Sequence, residues 1–311
     1  MRTVAAKEVQ AALDFPSLVE TLREGFRGDV AAPVRHHHSI PRTGEPDATL
    51  LLMPAWQSGR HVGIKIVTVT PGNAERSLPA VMGIYLLNDW TTGQPLALID
   101  GPMLTLRRTA AASALGASYL ARQDSERLLM VGTGALAPHL IEAHAAVRPI
   151  RSVTVWGRSA AKAEALARSL DRSDLEVGFT EDLEGAARGA DVISCATLSR
   201  EPLVRGDWLQ PGVHLDLVGA FTPEMRETDD QAIRRASVFV DTRAGATKEG
   251  GDIVQPLKSG ALSEQDIAGD LFELARGERT GRRTEEEITL FKSVGTALED
   301  LVAAQLVVER A

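Results

Sequence analysis

Residues 128–159 read LLMVGTGALAPHLIEAHAAVRPIRSVTVWGRS, and this stretch decides the fold. An apolar run, a glycine turn, an amphipathic segment and a second apolar run predict a strand, a tight turn, a helix and another strand. Such a unit seats a pyrophosphate on the helix N-terminus, where free backbone N–H groups and the helix dipole favour an anion. Gly132 and Gly134 allow the turn and a close approach of backbone to phosphate, in a cradle that extends over Ala135 and Leu136. Ala137 stands where the fingerprint takes a third small residue for helix–strand packing. Two glycines alone are common in surface turns. Here LLMV precedes them and LIEAHAAV follows, which is the context a dinucleotide site requires.

The far end of the stretch bears on the cofactor. An acidic residue closing the second strand would accept hydrogen bonds from the ribose 2′-hydroxyl of NAD. Arg158 and Ser159 stand there instead, a cation and a hydroxyl suited to a 2′-phosphate. NADPH is therefore expected, with NADH left open.

Downstream, helix AAKAEALARSL, strand LEVGF, helix LEGAARGA and strand DVISCATL continue the alternation of a doubly wound sheet. Strands VHLDLVG and SVFVDT follow, separated by a charged helix near residues 229–235, and residues 263–278 are expected to form one helix. Upstream, residues 5–27 predict two short helices broken near Phe15-Pro16 and closed by Gly28. A strand at Thr49–Met53 and a meander over 61–73, 80–89 and 94–101 come next. An alanine-rich helix at 102–122 then enters the dinucleotide unit directly. The chain ends in a long apolar-faced helix, expected to pack back on the meander and make the N-terminal domain discontinuous. The fold class expected is α/β: a Rossmann-type doubly wound sheet plus a discontinuous α+β N-terminal domain.

Composition narrows the classes. At 311 residues and 44% hydrophobic content the chain suits two domains with aliphatic cores, because aromatics supply only 4%. A net charge of −8 without a basic block argues against nucleic acid. The lone Cys195, in an apolar run, excludes a disulfide framework and fits a reducing cytoplasm. The N-terminal segment lacks a secretory apolar core and no run is long enough to span a membrane, so a cytoplasmic protein is expected.

Three cations need explaining. Lys65 sits inside the apolar strand GIKIV, Arg108 on a helix of small residues, and Arg35 after Pro33-Val34. Each alone reads as a surface charge; together they could clamp a carboxylate. A buried Lys65 would need an anionic partner. The run His36-His37-His38 suggests a metal, but adjacent side chains on an extended chain point to opposite sides and no partner stands at ligand spacing, so no metal is expected. Neither a nucleophile elbow nor a P-loop is present.

The segments LLLMPAW, VGIKIVTVTPGN, TTGQPLALIDG, LTLRRTAAASAL, VGTGALA, DLVGAFTPEMRETD, VDTRAGATKEGGDI and ITLFKSVGTALEDL resemble the ornithine cyclodeaminase/μ-crystallin family over nearly the whole chain. The resemblance implies a substrate-binding and dimerisation domain at residues 1–118 and 290–311, an NAD(P)-binding Rossmann domain at 119–289, and a homodimer paired through the N-terminal sheet. It also implies a substrate clamp of Arg35, Lys65 and Arg108. Cofactor contacts would fall on the glycine turn, on Arg158 and Ser159, on Thr197, on Val218 and its neighbours, and on Ser293-Val294 at the start of the last helix.

Two departures bear on the activity. Where ornithine cyclodeaminases carry an aspartate after Val-Gly-Gly, this chain has Phe221; where they place a carboxylate two residues before Met-Pro, it has Leu51. Burying the distal ammonium of ornithine against these would strand a charge at a cost of several kcal/mol. The chain therefore resembles the Δ1-pyrroline-2-carboxylate (ketimine) reductases of the family. These use NAD(P)H to reduce Δ1-pyrroline-2-carboxylate or Δ1-piperideine-2-carboxylate to L-proline or L-pipecolate. The imine nitrogen is basic enough to enter as an iminium near neutral pH; otherwise Lys65, or a water held nearby, would supply the proton. The alternatives are an ornithine cyclodeaminase, a non-enzymic NADPH- and small-acid-binding protein of crystallin type, and an amino-acid dehydrogenase acting on an open-chain oxo acid.

Overall fold

The computed structural model describes residues 1–170 and 174–311. The chain begins with β1 (Arg2–Val4), α1 (Ala6–Ala12), α2 (Phe15–Arg27), β2 (Val30–Ala31), β3 (His36–Ile40), β4 (Ala48–Gln57), β5 (His61–Val69), β6 (Val81–Asp89), β7 (Pro95–Asp100) and α3 (Gly101–Leu120). It continues through β8 (Arg127–Val131), α4 (Ala137–Val147), β9 (Ser152–Trp156), α5 (Ala160–Ser169), β10 (Glu176–Phe179), α6 (Leu183–Gly189), β11 (Val192–Cys195) and β12 (His214–Leu217). The last elements are α7 (Asp230–Arg235), β13 (Ser237–Val240), α8 (Arg243–Glu249), α9 (Gly251–Ser259), β14 (Ile267–Asp270), α10 (Leu271–Ala275), β15 (Thr289–Lys292) and α11 (Ala297–Arg310).

Two compact units result: residues 1–109 with 296–311, and residues 110–295. The sequence places the boundaries at 118/119 and 289/290; the structure divides the chain inside α3 and after β15. The second difference has a plain cause. Residues 289–292 form a strand of the parallel sheet, which periodicity alone had not separated from the helix that follows.

In the first unit the sheet runs β1-β7-β6-β5-β4-β2, with β3 also paired to β4. The meander is antiparallel, and only β1 joins parallel, against β7. The expected strand at Thr49–Met53 extends to Gln57 and passes through Pro54. Proline brings no N–H to a ladder, and β4 places it where that costs nothing: β3 pairs residues 48–52 and β2 pairs residues 56 and 57, leaving Pro54 in the gap. Side-chain alternation puts Gly63, Lys65 and Val67 on the buried face of β5. Helix α11 covers that face, with residues 297–307 all buried, and packs on α2, β4, β5 and β6. A Cβ on Gly25 of α2 would stand 2.9 Å from Val302, so glycine sets the close approach of α2 to α11.

The second unit holds a parallel sheet in the order β10-β9-β8-β11-β12-β15-β13-β14. Strand order reverses between β8 and β11, which is where doubly wound sheets open a binding crevice at the carboxyl ends of their strands. Residues 263–278 are not one helix. Ser263 and Asp266 form a capping box on a 3-10 turn, β14 follows, and Asp270 and Glu273 form a second box that opens α10. Two successive N-terminal signals mean two starts. Among the described residues no helix is long and apolar enough to cross a membrane.

Candidate functional site

Each unit holds a cluster of its own. In the first, Lys65 on β5 lies buried opposite Met53 of β4 and Tyr85 of β6. Its ammonium stands 2.8 Å from both carboxylate oxygens of Asp300 on α11. Arg108 on α3, also buried, donates from Nε to Asp300 at 2.9 Å and from Nη1 to Glu299 at 2.6 Å. Arg35 is half-buried, and its charge acts on both Lys65 and Asp300. The structure thus brings the three cations of the expected clamp together and supplies the anionic partner that a buried Lys65 requires. Three cations against two carboxylates leave one net positive charge.

Burial and the neighbouring Arg108 pull Lys65 down to about 8, against the opposing pull of Asp300. Burial alone would raise the Asp300 carboxyl, but the charges of Arg108 and Lys65 outweigh it and hold the group below its ordinary value. The adjacent Arg107 does something else. It donates from Nε to the carbonyl of Leu13 at 2.9 Å and lies 3.7 Å over the Phe15 ring, closing the end of α1. Leu51 shares the sheet face of Met53 and Lys65, being paired with Val67. The three histidines lie exposed along β3 at the side of β4.

In the second unit a cleft of about 550 Å³ is lined by Gly132, Thr133, Gly134, Trp156, Gly157, Arg158, Ser159, Lys162 and residues 196–199 and 203. Gly132 adopts φ +126°, and a Cβ there would stand 2.6 Å from the carbonyl of Ala196, so the turn requires glycine. At Gly134 a Cβ would meet no protein atom and would occupy the cleft itself. Ala135 is exposed, Leu136 is the N-cap of α4, and Ala137 is fully buried against the sheet. These residues fit a dinucleotide pyrophosphate at the N-terminus of α4. Arg158 is exposed with no protein partner among the described residues, and Ser159 caps α5. Lys162, in the first turn of α5, adds a second exposed cation that the sequence reading missed. Its signal was its place three residues after the capping serine.

Thr197 lines the same cleft and is held from behind. Its backbone N–H and hydroxyl donate to the fully buried Glu227 at 2.6 and 2.8 Å. Burial and the nearby Asp252 raise Glu227 to about 8. Val218, Ser293 and Val294 stand at the carboxyl ends of β12 and β15, one and two strands further along. Ser293-Val294 does not begin the last helix as expected; α11 starts at Ala297 behind the capping Thr296. Asp241 fixes that loop by accepting from the N–H groups of Val294 and Gly295 at 2.7 and 2.6 Å. Phe221 follows Ala220, whose φ of +48° is left-handed, and remains 48% exposed.

The sequence pattern of the ornithine cyclodeaminase/mu-crystallin family matches residues 2–311. The chain belongs to this family. It is 40% identical over 287 residues to a Δ1-pyrroline-2-carboxylate reductase of Paracoccus denitrificans, covering 90% of this chain and 91% of that one. Among solved structures of the same fold it resembles the Thermococcus litoralis Δ1-pyrroline-2-carboxylate reductase in complex with NADH and L-proline. There the TM-score is 0.93 with 32% identity, over 100% of this chain and 97% of the other. An archaeal alanine dehydrogenase dimer with bound NAD matches with TM-score 0.91 and 30% identity, over 100% and 96%. These matches span the parallel sheet and the meander alike, since each covers nearly the whole chain.

Proposed function

We propose that the chain is an NAD(P)H-dependent reductase of a cyclic imine acid, Δ1-pyrroline-2-carboxylate or its six-membered homologue Δ1-piperideine-2-carboxylate, forming L-proline or L-pipecolate. The observation that carries the proposal is the convergence of Lys65 and Arg108 on Asp300, with Arg35 beside them. One net positive charge matches one carboxylate, and the Leu51 side of the same face offers an apolar wall rather than a site for a second ammonium. The named activity of the Paracoccus relative and the proline in the Thermococcus complex support the same substrate class.

Gly132, Gly134, Thr197, Val218 and the loop at Ser293-Val294 would hold the cofactor, with Arg158, Ser159 and Lys162 toward a 2′-phosphate. When bound, a reduced nicotinamide supplies a hydride. Arg35, Lys65 and Arg108 bind and orient the substrate carboxylate, chiefly through the guanidinium forks. As the imine carbon gains its hydrogen, the C=N electron pair moves to nitrogen, which takes a proton from the Lys65 ammonium; water then recharges the amine. A lysine poised near 8 is matched to that exchange close to neutral pH.

The outer face of the first sheet supports a homodimer. Met82 and Ile84 on β6 are exposed, and Leu50, Leu52, Ile64 and Ile66 share their side of the sheet. A second copy of this chain would cover a sheet that is apolar on both faces. A cytoplasmic location belongs to the same proposal, since the buried thiol of Cys195 suits a reducing compartment.

The test is initial-rate measurement of NADPH oxidation with pyrroline-2-carboxylate. Turnover supports the reading. Ammonia release from ornithine without imine reduction would replace it with the cyclodeaminase reading.

A further inference from the structure

We propose that Asp300 is the positioning residue of the clamp, holding Lys65 and Arg108 in one geometry and keeping the Lys65 ammonium charged. The inference rests on the imine-reductase reading and adds a residue that does not touch the substrate.

The geometry supports it from three sides. Asp300 is fully buried on α11, a helix locked by burial of residues 297–307. It accepts from Lys65 at 2.8 Å and from Arg108 Nε at 2.9 Å, joining a strand and a helix that otherwise present two like charges to one another. Arg108 spends Nε on Asp300 and Nη1 on Glu299, and its Nη2 has no hydrogen-bond partner among the described residues. That fixed orientation leaves Nη2 for a substrate carboxylate.

The charged and titratable groups facing Lys65 are few. They are Asp300 and, through Arg108, Glu299 from α11, Arg108 from α3, the Tyr85 hydroxyl from β6, and Arg35 from the segment before β3. Burial, Arg108 and Arg35 all favour the neutral amine, and Asp300 supplies the opposing pull. Removing its charge while keeping its shape would release the proton of Lys65 at neutral pH, weakening the clamp and the acid together.

The experiment compares wild type with Asp300→Asn and Asp300→Glu. For each, kcat and KM with pyrroline-2-carboxylate and NADPH are measured across pH 6–10. Pyrrole-2-carboxylate, a planar analogue that is not reduced, is titrated calorimetrically at pH 8 with the cofactor bound. NADPH fluorescence titration confirms that each variant keeps a folded cofactor unit. Asp300→Asn is expected to move the alkaline limb of kcat down by about one pH unit or more and to weaken the analogue about tenfold. Asp300→Glu keeps the limb near that of wild type and raises KM, because the charge survives but its position shifts.

A folded Asn variant whose limb and analogue affinity match wild type would overturn the proposal. If Asn does not fold, a Glu variant with an unchanged limb and raised KM supports it, and one indistinguishable from wild type in KM overturns it. Should the wild type bind the analogue without reducing any imine, the reaction assignment fails and the binding arm still decides the role of Asp300.

Discussion

Arg108 and Asp300, 192 residues apart in the chain, meet through a 2.9 Å hydrogen bond inside the first unit. The contact ties α3, which leads into the dinucleotide unit, to the helix that ends the chain. Its partner on the other side is Lys65, and the three residues form a buried charge cluster with Glu299 and Arg35 around it.

The acidity of Lys65 sets the first prediction. With Lys65 held near 8, its ammonium is present below that pH and lost above it. The kcat for imine reduction is expected to hold between pH 6 and 7.5 and to fall about tenfold per pH unit above 8. Oxidation of L-proline needs the neutral amine, so its kcat is expected to rise across the same interval. Lys65→Arg keeps the charge but releases no proton in this range, and a loss of about 10²-fold or more in kcat is expected. Parallel pH profiles in the two directions would contradict the role.

Arg158 tests the cofactor reading. Arg158→Ala is expected to lower kcat/KM for NADPH by about tenfold or more while leaving NADH within about twofold, since only the former carries the 2′-phosphate. Equal losses for both cofactors would show that Arg158 makes no such contact. The Lys162→Ala variant is expected to repeat the pattern more weakly, because an ammonium lacks the guanidinium fork.

Asp191 tests the stability of the second unit. Its carboxylate accepts from the side chains of Arg122 and Arg127 and from the backbone N–H groups of Glu126 and Arg127. Burial alone would raise it, but the hydrogen bonds from Arg127 and the two backbone groups bring it down to about 2. A depressed carboxyl stabilises the fold above its unfolded value and loses that contribution as pH falls through the folded one. Asp191→Asn is therefore expected to cost about 2 kcal/mol at pH 7, with the gap to wild type closing near pH 2–3. Urea titrations at pH 7 and pH 3 check this, and a gap independent of pH would contradict it.

The dimer is tested on the exposed sheet face. Ile84→Glu places a charge where a second copy is proposed to dock, and burying it unpaired would cost several kcal/mol. Sedimentation should find wild type as a dimer and the variant as a folded monomer. A variant that remains dimeric would place the interface elsewhere.

Much of the architecture was legible because it is written locally. The glycine turn, the alternation of helix and strand after Arg158, and the meander each repeat over a few residues, and backbone geometry reads the same few residues. What escaped was decided at long range. The segment ITLFK becomes β15 by sliding between β12 and β13, and nothing within five residues announces those neighbours. The break at residues 263–278 was encoded in two successive capping pairs that also fit one helix with polar residues on its face. At the site, the cations could be chosen from the sequence because a lysine in an apolar strand is anomalous. Glu299 and Asp300 were equally anomalous in ALEDLVAAQL, and the helical pattern concealed that both are fully buried.

The most direct measurement is the set of initial rates for the five- and six-membered cyclic imine acids, each with NADH and with NADPH. Cofactor oxidation coupled to formation of L-proline or L-pipecolate is expected, faster with NADPH, with no ammonia released from ornithine. An enzyme that binds the cofactor and is silent on both imine acids would contradict the imine-reductase reading.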